Sequence, residues 1–199
     1  MDHSSEPGFR LKKIGVFGGT FDPIHHGHLI LAREARETLD LTAVIFIPAA
    51  ISPHKPDRSP TPAEIRLAML RAAIGDESGF LCDPIELHRP PPSYTIDTIE
   101  TLRACHPASE FFCLIGDDNL PGLHSWHRFG ELSRMVQFVV LDRTGTNANH
   151  SFPIIRRHLD ISATNIRKRV AANRSIRYLV PPLVEEIIYN HQLYRESKQ

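Results

Sequence analysis

The chain has 199 residues, of which 41% are hydrophobic, which is enough for one domain with a sizeable core and too few for two. Its 23 basic and 23 acidic residues give a formal net charge of +0. No overall field therefore attracts nucleic acid or an anionic membrane surface, which argues against both as partners. Small anions remain candidates, because local clusters can bind them.

The three cysteines, Cys82, Cys105 and Cys113, show no paired spacing, which argues against a disulfide framework and favours a reducing compartment. No apolar run approaches the ~20 residues of a membrane helix, and the first residues lack the features of a signal peptide. We therefore expect a soluble cytoplasmic protein, with residues 1–11 as a flexible tail before a domain over residues 12–199. Assembly as a homo-oligomer stays open.

The most informative stretch joins a strand to a helix. The apolar run at residues 14–17 predicts a buried strand of a parallel sheet. Gly18 and Gly19 follow, and because they lack Cβ atoms a phosphate can approach their backbone amides. His25 and His28 then meet the start of a helix, whose free N–H groups favour an anion. Together these features indicate a mononucleotide phosphate site.

Other interpretations of this stretch have to be weighed. The chain contains neither Gly-x-x-x-x-Gly-Lys-Ser/Thr nor, after this strand, Gly-x-Gly-x-x-Gly, so P-loop chemistry and a bound dinucleotide cofactor lose weight. A lone histidine is more often a surface or capping residue. The cluster also suggests a metal site, but it lacks the cysteines or the His-Glu-x-x-His spacing typical of zinc. The strand before it and the helix after it favour phosphate.

The next elements continue the α/β pattern. Residues 31–39 have helical spacing and residues 44–47 predict a second buried strand, so the two strands form a right-handed βαβ unit with its ligand at their carboxyl ends. Residues 49–60 form a loop on that side, where Lys55 is either a phosphate contact or simply solvated. Residues 61–64 predict a capping box with proline at the first helical position.

A weaker strand and a third helix come next. Residues 80–82 and 85–87 predict a third strand that a proline interrupts. Ser93 is placed to cap the helix that follows. At the start of that helix, Tyr94 and Thr95 either contact a substrate carboxylate or ring or serve only the cap.

The clearest central strand, residues 111–115, leads directly into two acidic residues. The carboxylates of Asp117 and Asp118 at the end of such a strand suit ribose hydroxyls or a hydrated magnesium ion. Trp126 follows shortly, either as a core residue or as a stacking platform for a planar heterocycle. Residues 135–141 predict a fifth strand.

A second cluster of polar residues opens a later helix. Ser162 is placed as its cap, and Thr164 and Arg167 lie within the following turn. Hydroxyls, free amides and a guanidinium that converge in this way can hold a triphosphate tail, although an ordinary capped basic helix shows the same residues.

The remaining elements complete the predicted fold. Residues 154–155 begin a sixth strand, and a last helix starts near Pro182. Three of its side chains are expected to pack on the core: Leu183, Ile187 and Ile188. The order of elements predicts an α/β fold, a single-domain Rossmann-like doubly wound parallel sheet with helices on both faces.

Two motifs resemble the signatures of the nucleotidyltransferase superfamily. Residues 18–28 resemble Gly-x-Phe-x-Pro-x-His-x-Gly-His, and residues 161–167 resemble Ile-Ser-Ser/Thr-Thr-x-x-Arg. More narrowly, the chain is similar to the bacterial nicotinate-nucleotide adenylyltransferases from Lys13 to Tyr194. The secondary motifs that carry this similarity are residues 53–55, 92–98, 116–120 with Trp126, 178–181 and 193–194.

The resemblance implies transfer of AMP from ATP to nicotinate mononucleotide, which gives deamido-NAD and pyrophosphate, uses Mg²⁺ and belongs to NAD biosynthesis. The attacking phosphate is already ionised at neutral pH, so no side-chain base and no covalent intermediate is required. Catalysis then consists of holding the nucleophile in line with the α-phosphorus and stabilising charge on the leaving pyrophosphate.

The resemblance also implies a set of site residues. The catalytic residues are His25, His28 and Arg167, with His28 placed to stabilise charge around the α-phosphorus. The ATP-binding residues are Gly18, Gly19, Thr20, Phe21, Lys55, Asp118, Ser162 and Thr164. The residues for nicotinate mononucleotide are Tyr94, Thr95 and Trp126. No direct protein ligand to the metal is expected, since the ATP phosphates would hold most of the magnesium.

The sequence departs from the family pattern at two positions. Ala163 stands where the pattern has a hydroxyl residue, and Asp117 adds negative charge beside a phosphate site, where help in holding magnesium is its one evident use. Three rival functions stay open. They are the same transfer to nicotinamide mononucleotide, a non-catalytic nucleotide-binding module, and a metal-dependent hydrolase built on the histidines.

Overall fold

The computed structural model describes residues 12–50, 60–75, 77–90, 92–143, 145 and 150–195, so the predicted tail at residues 1–11 lies outside the described part of the chain. The strands are β1 Lys12–Gly19, β2 Ala43–Pro48, β3 Phe80–Cys82, β4 Ser109–Gly116, β5 Gln137–Asp142 and β6 Ile154–Arg156. They form one parallel sheet in the order β3-β2-β1-β4-β5-β6.

The helices are α1 His26–Thr38, α2 Ala63–Ile74, α3 Thr95–Cys105, α4 Phe129–Met135, α5 Ala163–Ala171 and α6 Pro182–Asn190. Two 3₁₀ helices, Ile85–His88 and Asp117–Ser125, precede α3 and α4. The buried residues of α1, α2, α5 and α6 share one core, which we name the α1 face. Those of α3 and α4 share the other, the α3 face.

The strand sequences explain why the sheet needs two covered faces. Along β1, Ile14 and Val16 pack into the α3 face, while Phe17 packs into the α1 face. Neighbouring β4 alternates in the same way, with Phe111 on the α3 face and Phe112 on the α1 face. Strands that bury both sides carry nearly continuous apolar residues. The predicted doubly wound α/β fold is confirmed.

The sheet order places a topological switch point between β1 and β4. The chain leaves β1 through α1 to reach β2 on one side, whereas β4 pairs with the other side of β1, with Phe17 opposite Leu114. In open α/β sheets a ligand crevice lies outside the carboxyl ends of the strands at such a point. Gly19 and Gly116, the last residues of the two strands, therefore border the expected site.

Two predicted helix caps were wrong. α2 begins at Ala63 after Pro62, and the backbone N–H of Thr61 donates to the Asp22 carboxylate at 3.3 Å, so Thr61 belongs to a tertiary contact and not to a capping box. α3 begins after Tyr94 without a side-chain cap, because the Ser93 hydroxyl donates to the Glu86 carbonyl at 3.5 Å.

Two element boundaries and the burial of one residue also differ from the predictions. The third strand ends at Cys82, and Asp83 then accepts a hydrogen bond from the Ile85 N–H, which turns the chain into a 3₁₀ helix. Met135 ends α4, so β5 starts at Gln137. Leu183 is exposed, and Val184 takes the place in the core that was expected of it. None of the described helices has the length and apolar character needed to cross a bilayer.

Ile188 and Leu183 offer a matched test of which side of α6 supports the core. Ile188 is 0% exposed and Leu183 is 54% exposed. We expect Ile188→Ala to lower the free energy of unfolding by about 2–5 kcal/mol, because it leaves a cavity. Leu183→Ala should change it by less than about 0.5 kcal/mol. Urea denaturation followed by circular dichroism measures both, and equal losses would contradict this orientation of α6.

Candidate active site

The loop between β1 and α1 is built for close approach at its entrance. Gly18 is exposed, and a Cβ atom there would meet no other group within 4 Å. The carbonyl of Gly19 accepts a hydrogen bond from the Ala49 N–H at 2.9 Å, which ties the loop to the end of β2. Thr20 is half-buried, and the buried Phe21 adopts a left-handed backbone conformation with φ of 47°. This part of the loop leaves backbone open to a ligand at Gly18.

The two histidines of the loop form a stacked pair at the start of α1. His25 is the N-cap residue and is 1% exposed, whereas His28, one turn later, is half-buried. Their ring centroids lie 3.7 Å apart with an angle of 22° between the planes. Gly27 makes room for this arrangement, because a Cβ atom there would lie 3.0 Å from Nδ1 of His25.

The backbone hydrogen bond to His28 sets the tautomer of its neutral ring, and burial disfavours the protonated form of His25. The backbone N–H of His25 donates to Nδ1 of His28 at 3.3 Å, so a neutral His28 carries its proton on Nε2, the nitrogen that can donate to a phosphate oxygen. Burial, followed by the charges of His28 and Arg143, lowers the pKa of His25 well below its ordinary value. His25 is therefore neutral and supports the ring of His28.

The start of α5 reaches this loop directly. The Ser162 hydroxyl caps α5 by accepting from the Asn165 N–H at 3.2 Å, which confirms the predicted cap. One arm of the Arg167 guanidinium donates to the Thr164 hydroxyl at 3.1 Å, and the other donates to the backbone carbonyl of Asp22 at 2.7 Å. The two polar clusters predicted from sequence therefore lie side by side, joined by Arg167.

Two charged residues that sequence reasoning missed hold the loop from behind. The guanidinium of Arg66, 1% exposed, donates to the Thr20 carbonyl at 2.8 Å. The buried Asp22 carboxylate accepts from the Tyr194 hydroxyl at 2.6 Å. Asp22 stood inside the recognised motif and was a detectable signal. Arg66 on a helix gave none, because an arginine in that position is usually solvated.

On the other side of the switch point, two carboxylates follow β4. Asp118 is exposed and its Oδ1 accepts from the Asn119 amide at 3.1 Å, while Asp117 accepts from the Asp118 N–H. A Cβ atom on Gly116 would lie 2.5 Å from Oδ1 of Asp118, so the side chain folds back over the end of the strand. Both carboxylates thus lie at the carboxyl end of β4, as predicted.

The aromatic residues that the resemblance assigns to nicotinate mononucleotide, Tyr94 and Trp126, pack on the α3 face. Trp126 is half-buried and its ring meets Phe138 edge-on at 6.3 Å, so it packs on the core and keeps part of its surface exposed. The ring of Tyr94 stacks on His127 at 4.2 Å, which brings the start of α3 beside Trp126. Thr95 is the half-buried first residue of α3. Lys55 lies outside the described residues.

Comparisons with known proteins show the family to which the chain belongs. A family model described as cytidylyltransferase-like matches residues 16–169. The chain belongs to the cytidylyltransferase-like family. The probable nicotinate-nucleotide adenylyltransferase of Bacillus pumilus (strain SAFR-032) is 41% identical over 187 residues, which cover 92% of this chain and 99% of the relative. The corresponding protein of Geobacillus thermodenitrificans (strain NG80-2) is 44% identical over 185 residues, which cover 92% of this chain and 86% of the relative. The family predicted from the motifs is confirmed.

Two solved structures have the same fold as this chain. Plasmodium falciparum nicotinic acid mononucleotide adenylyltransferase complexed with NaAD matches with a TM-score of 0.78 and 21% identity, over 92% of this chain and 97% of that chain. The same protein complexed with APC gives a TM-score of 0.75 at 20% identity, with the same coverage.

The buried His25 predicts a pH dependence of stability. In the unfolded chain His25 gains a proton as the pH drops below its ordinary pKa of 6.5, whereas burial keeps it neutral in the folded state. The unfolded state therefore binds more protons, and the free energy of unfolding falls as the pH drops below that value. Glutamine cannot titrate, so the free energy of unfolding of His25→Gln should fall less steeply with decreasing pH than that of the wild type. The difference between the two slopes should be at most about 1.4 kcal/mol per pH unit. Urea denaturation between about pH 7.5 and 5.5 measures the slopes.

The exposed His106 supplies the control for this measurement. His106→Gln removes a histidine without touching the stacked pair. Identical pH slopes for the wild type and His25→Gln would contradict a neutral, buried His25.

Proposed function

We propose that this protein transfers AMP from ATP to nicotinate mononucleotide, giving deamido-NAD and pyrophosphate as a step of NAD biosynthesis. The observation that carries the proposal is the bond from Arg167 to the Asp22 carbonyl, which unites both signature motifs beside the β1–β4 switch point. The names of the relatives supply the substrate class.

The phosphate side of the site is rich in donors, as this chemistry requires. In the proposed complex, Nε2 of His28 donates to oxygens on the α-phosphorus, where charge accumulates during transfer. His25 stays neutral and fixes the ring of His28. Arg167 and the hydroxyls of Ser162 and Thr164 hold the β- and γ-phosphates, which become the leaving pyrophosphate.

The loop and the end of β4 complete the proposed ATP subsite. Gly18, Gly19 and Thr20 offer backbone to the nucleotide, while the buried ring of Phe21 supports the loop from the core. Asp118 is proposed to accept hydrogen bonds from ribose hydroxyls. Lys55 is proposed as a further phosphate contact because it belongs to the motif at residues 53–55.

For the acceptor, we propose that Trp126 stacks on the pyridine ring and that Tyr94 and Thr95 bind near its carboxylate. The exposed part of Trp126 and the stacking of Tyr94 on His127 support an aromatic wall there. Because α3 begins at Thr95, the free N–H groups of its first turn favour an anionic substituent over a neutral carboxamide. This favours nicotinate mononucleotide over the nicotinamide form.

Magnesium is proposed to enter with ATP. Within the described ranges, no group of three or more His, Cys, Asp or Glu side chains lies together as a metal cage. The carboxylates of Asp117 and Asp118 are of the oxygen type that magnesium prefers and follow β4, the strand that neighbours β1, so they fit a partly phosphate-held ion. When bound, the ion neutralises phosphate charge.

Three free thiols support a reducing compartment, and we propose the cytoplasm. Cys82, Cys105 and Cys113 all lie among the described residues and none is in a disulfide.

Turnover with both acceptors tests the proposal. Purified protein with ATP and magnesium should release pyrophosphate with nicotinate mononucleotide, with kcat/KM at least about tenfold higher than with nicotinamide mononucleotide. Pyrophosphate release coupled to a phosphate assay, with chromatography of the dinucleotide, follows the reaction. Equal rates would remove the acceptor preference, and no release with either would refute the transferase. Activity that EDTA abolishes and zinc alone restores would favour the hydrolase.

His28 is the residue whose loss should reduce turnover most directly. His28→Ala removes one donor aimed at transition-state charge, so kcat should fall about 10²-fold or more. Because His28 is half-buried, the variant should keep its fold, which circular dichroism checks. His106→Ala, at an exposed position after α3, should retain normal kcat. A His28→Ala variant with wild-type kcat would exclude the assigned role.

A further inference from the structure

In the loop between β1 and α1, Phe21 has a strained backbone and its two neighbours, Thr20 and Asp22, are held in place by distant side chains. We name residues 20–22 the Phe21 turn. The φ angle of Phe21 is 47°, in the left-handed region that is unfavourable for residues other than glycine. A conformation of this kind persists only where the surrounding structure over-determines it. The contacts of Thr20 and Asp22 on either side show what holds it.

Arg66 holds the first of these neighbours. Its guanidinium donates to the carbonyls of Thr20 at 2.8 Å, Thr61 at 2.9 Å and Ala50 at 3.3 Å. Burying a charge is costly, and in this arrangement of the chain three carbonyl acceptors offset that cost. The position of the Thr20 carbonyl is therefore fixed by the entry to α2 and the end of β2.

Tyr194, which follows α6, holds the second neighbour. Its hydroxyl donates to Oδ1 of Asp22 at 2.6 Å, while Oδ2 accepts from the Thr61 N–H at 3.3 Å. Burial, followed by the charge of Asp22, raises the pKa of Tyr194, so the phenol stays protonated and remains the donor. The backbone carbonyl of the same Asp22 is the acceptor for Arg167.

The turn held in this way positions a proposed catalytic ring. The buried side chain of Phe21 meets His28 edge-on, with centroids 5.2 Å apart and an angle of 82°. It also meets Phe17 edge-on at 5.6 Å. If Phe21 relaxed to an ordinary backbone conformation, its ring would leave His28 and the Asp22 carbonyl would leave Arg167.

We propose that Tyr194 and Arg66 are positioning residues for adenylyl transfer, because together they hold the Phe21 turn that seats both His28 and Arg167. This inference rests on the proposed function. It assigns to a tyrosine 172 positions from its acceptor a role in binding and activating ATP, although Tyr194 itself is not required to touch the substrate.

A purely structural role for Tyr194 makes a different prediction. If its hydroxyl only fastened the segment after α6, its loss would lower the melting temperature and leave the folded enzyme unchanged. If it positions the turn, its loss also weakens the use of ATP by the folded enzyme, while the acceptor on the α3 face is unaffected. The kinetic constants for the two substrates therefore separate the two roles.

The test uses Tyr194→Phe, which removes one hydroxyl and keeps the ring. At a temperature well below melting, kcat/KM for ATP should fall about tenfold, and KM for nicotinate mononucleotide should stay within about twofold. The rise in melting temperature on adding ATP alone should also become smaller. Tyr189→Phe, in the exposed part of α6, is the matched control and should behave as the wild type.

Arg66→Lys gives an independent arm, because a single ammonium keeps the charge but does not reproduce the planar fork to three carbonyls. It should lower kcat/KM for ATP in the same direction. Since both residues act through one turn, the double variant should lose less than the product of the two single losses.

Each outcome decides a different question. A wild-type protein without transfer activity would overturn the proposed function, and this inference with it. An active wild type together with Tyr194→Phe of unchanged kcat/KM for ATP would overturn the inference alone. If Arg66→Lys does not fold, the comparison of Tyr194→Phe with Tyr189→Phe still decides it.

Discussion

The site depends on one hydrogen bond between distant parts of the chain, from Arg167 to the backbone carbonyl of Asp22, 145 positions apart. Neither partner suffices alone. The loop after β1 carries the histidines but has no permanent positive charge of its own, and the start of α5 carries that charge. Because the acceptor is a backbone carbonyl, this hydrogen bond positions the guanidinium without neutralising its charge.

Much of this arrangement followed from local sequence. The apolar runs of β1 and β4, the glycines at the ends of these strands and the Ser162 cap are local features, because each is determined by neighbours along the chain. The predicted cap at Thr61 was wrong for the opposite reason. Its backbone is engaged by Asp22, 39 positions earlier, and this tertiary contact sets where α2 begins.

The supporting residues behind the loop were beyond sequence reasoning. Arg66 lies on a helix with the spacing of a solvated residue, and only the folded chain brings the carbonyls of Thr20, Ala50 and Thr61 to it. Tyr194 was visible in a family motif, yet no pattern in the sequence connects it with Asp22. The protonation of His25 is likewise a property of burial, which depends on Gly27 and on the packing of α1 against the sheet.

The division of the site between the two faces of the sheet also has a chemical reason. In the proposed complex, the phosphates need donors, and the proposed donors His28 and Arg167 come from the α1 face, where helix starts add free N–H groups. Ribose hydroxyls and a pyridine ring need acceptors and aromatic surface, and Asp118 and Trp126 follow β4 toward the α3 face. If Asp117 and Asp118 stood among the phosphate donors, they would compete for the same guanidinium. The Asp22 carboxylate of the loop already accepts hydrogen bonds from Tyr194 and from the Thr61 N–H. The switch point separates the two sets and leaves them adjacent, so in the proposed reaction the transferred group crosses only the gap between β1 and β4. In the proposed complex, a chain with no net charge binds a highly charged substrate because donors are concentrated locally, at Arg167 and at the starts of α1 and α5.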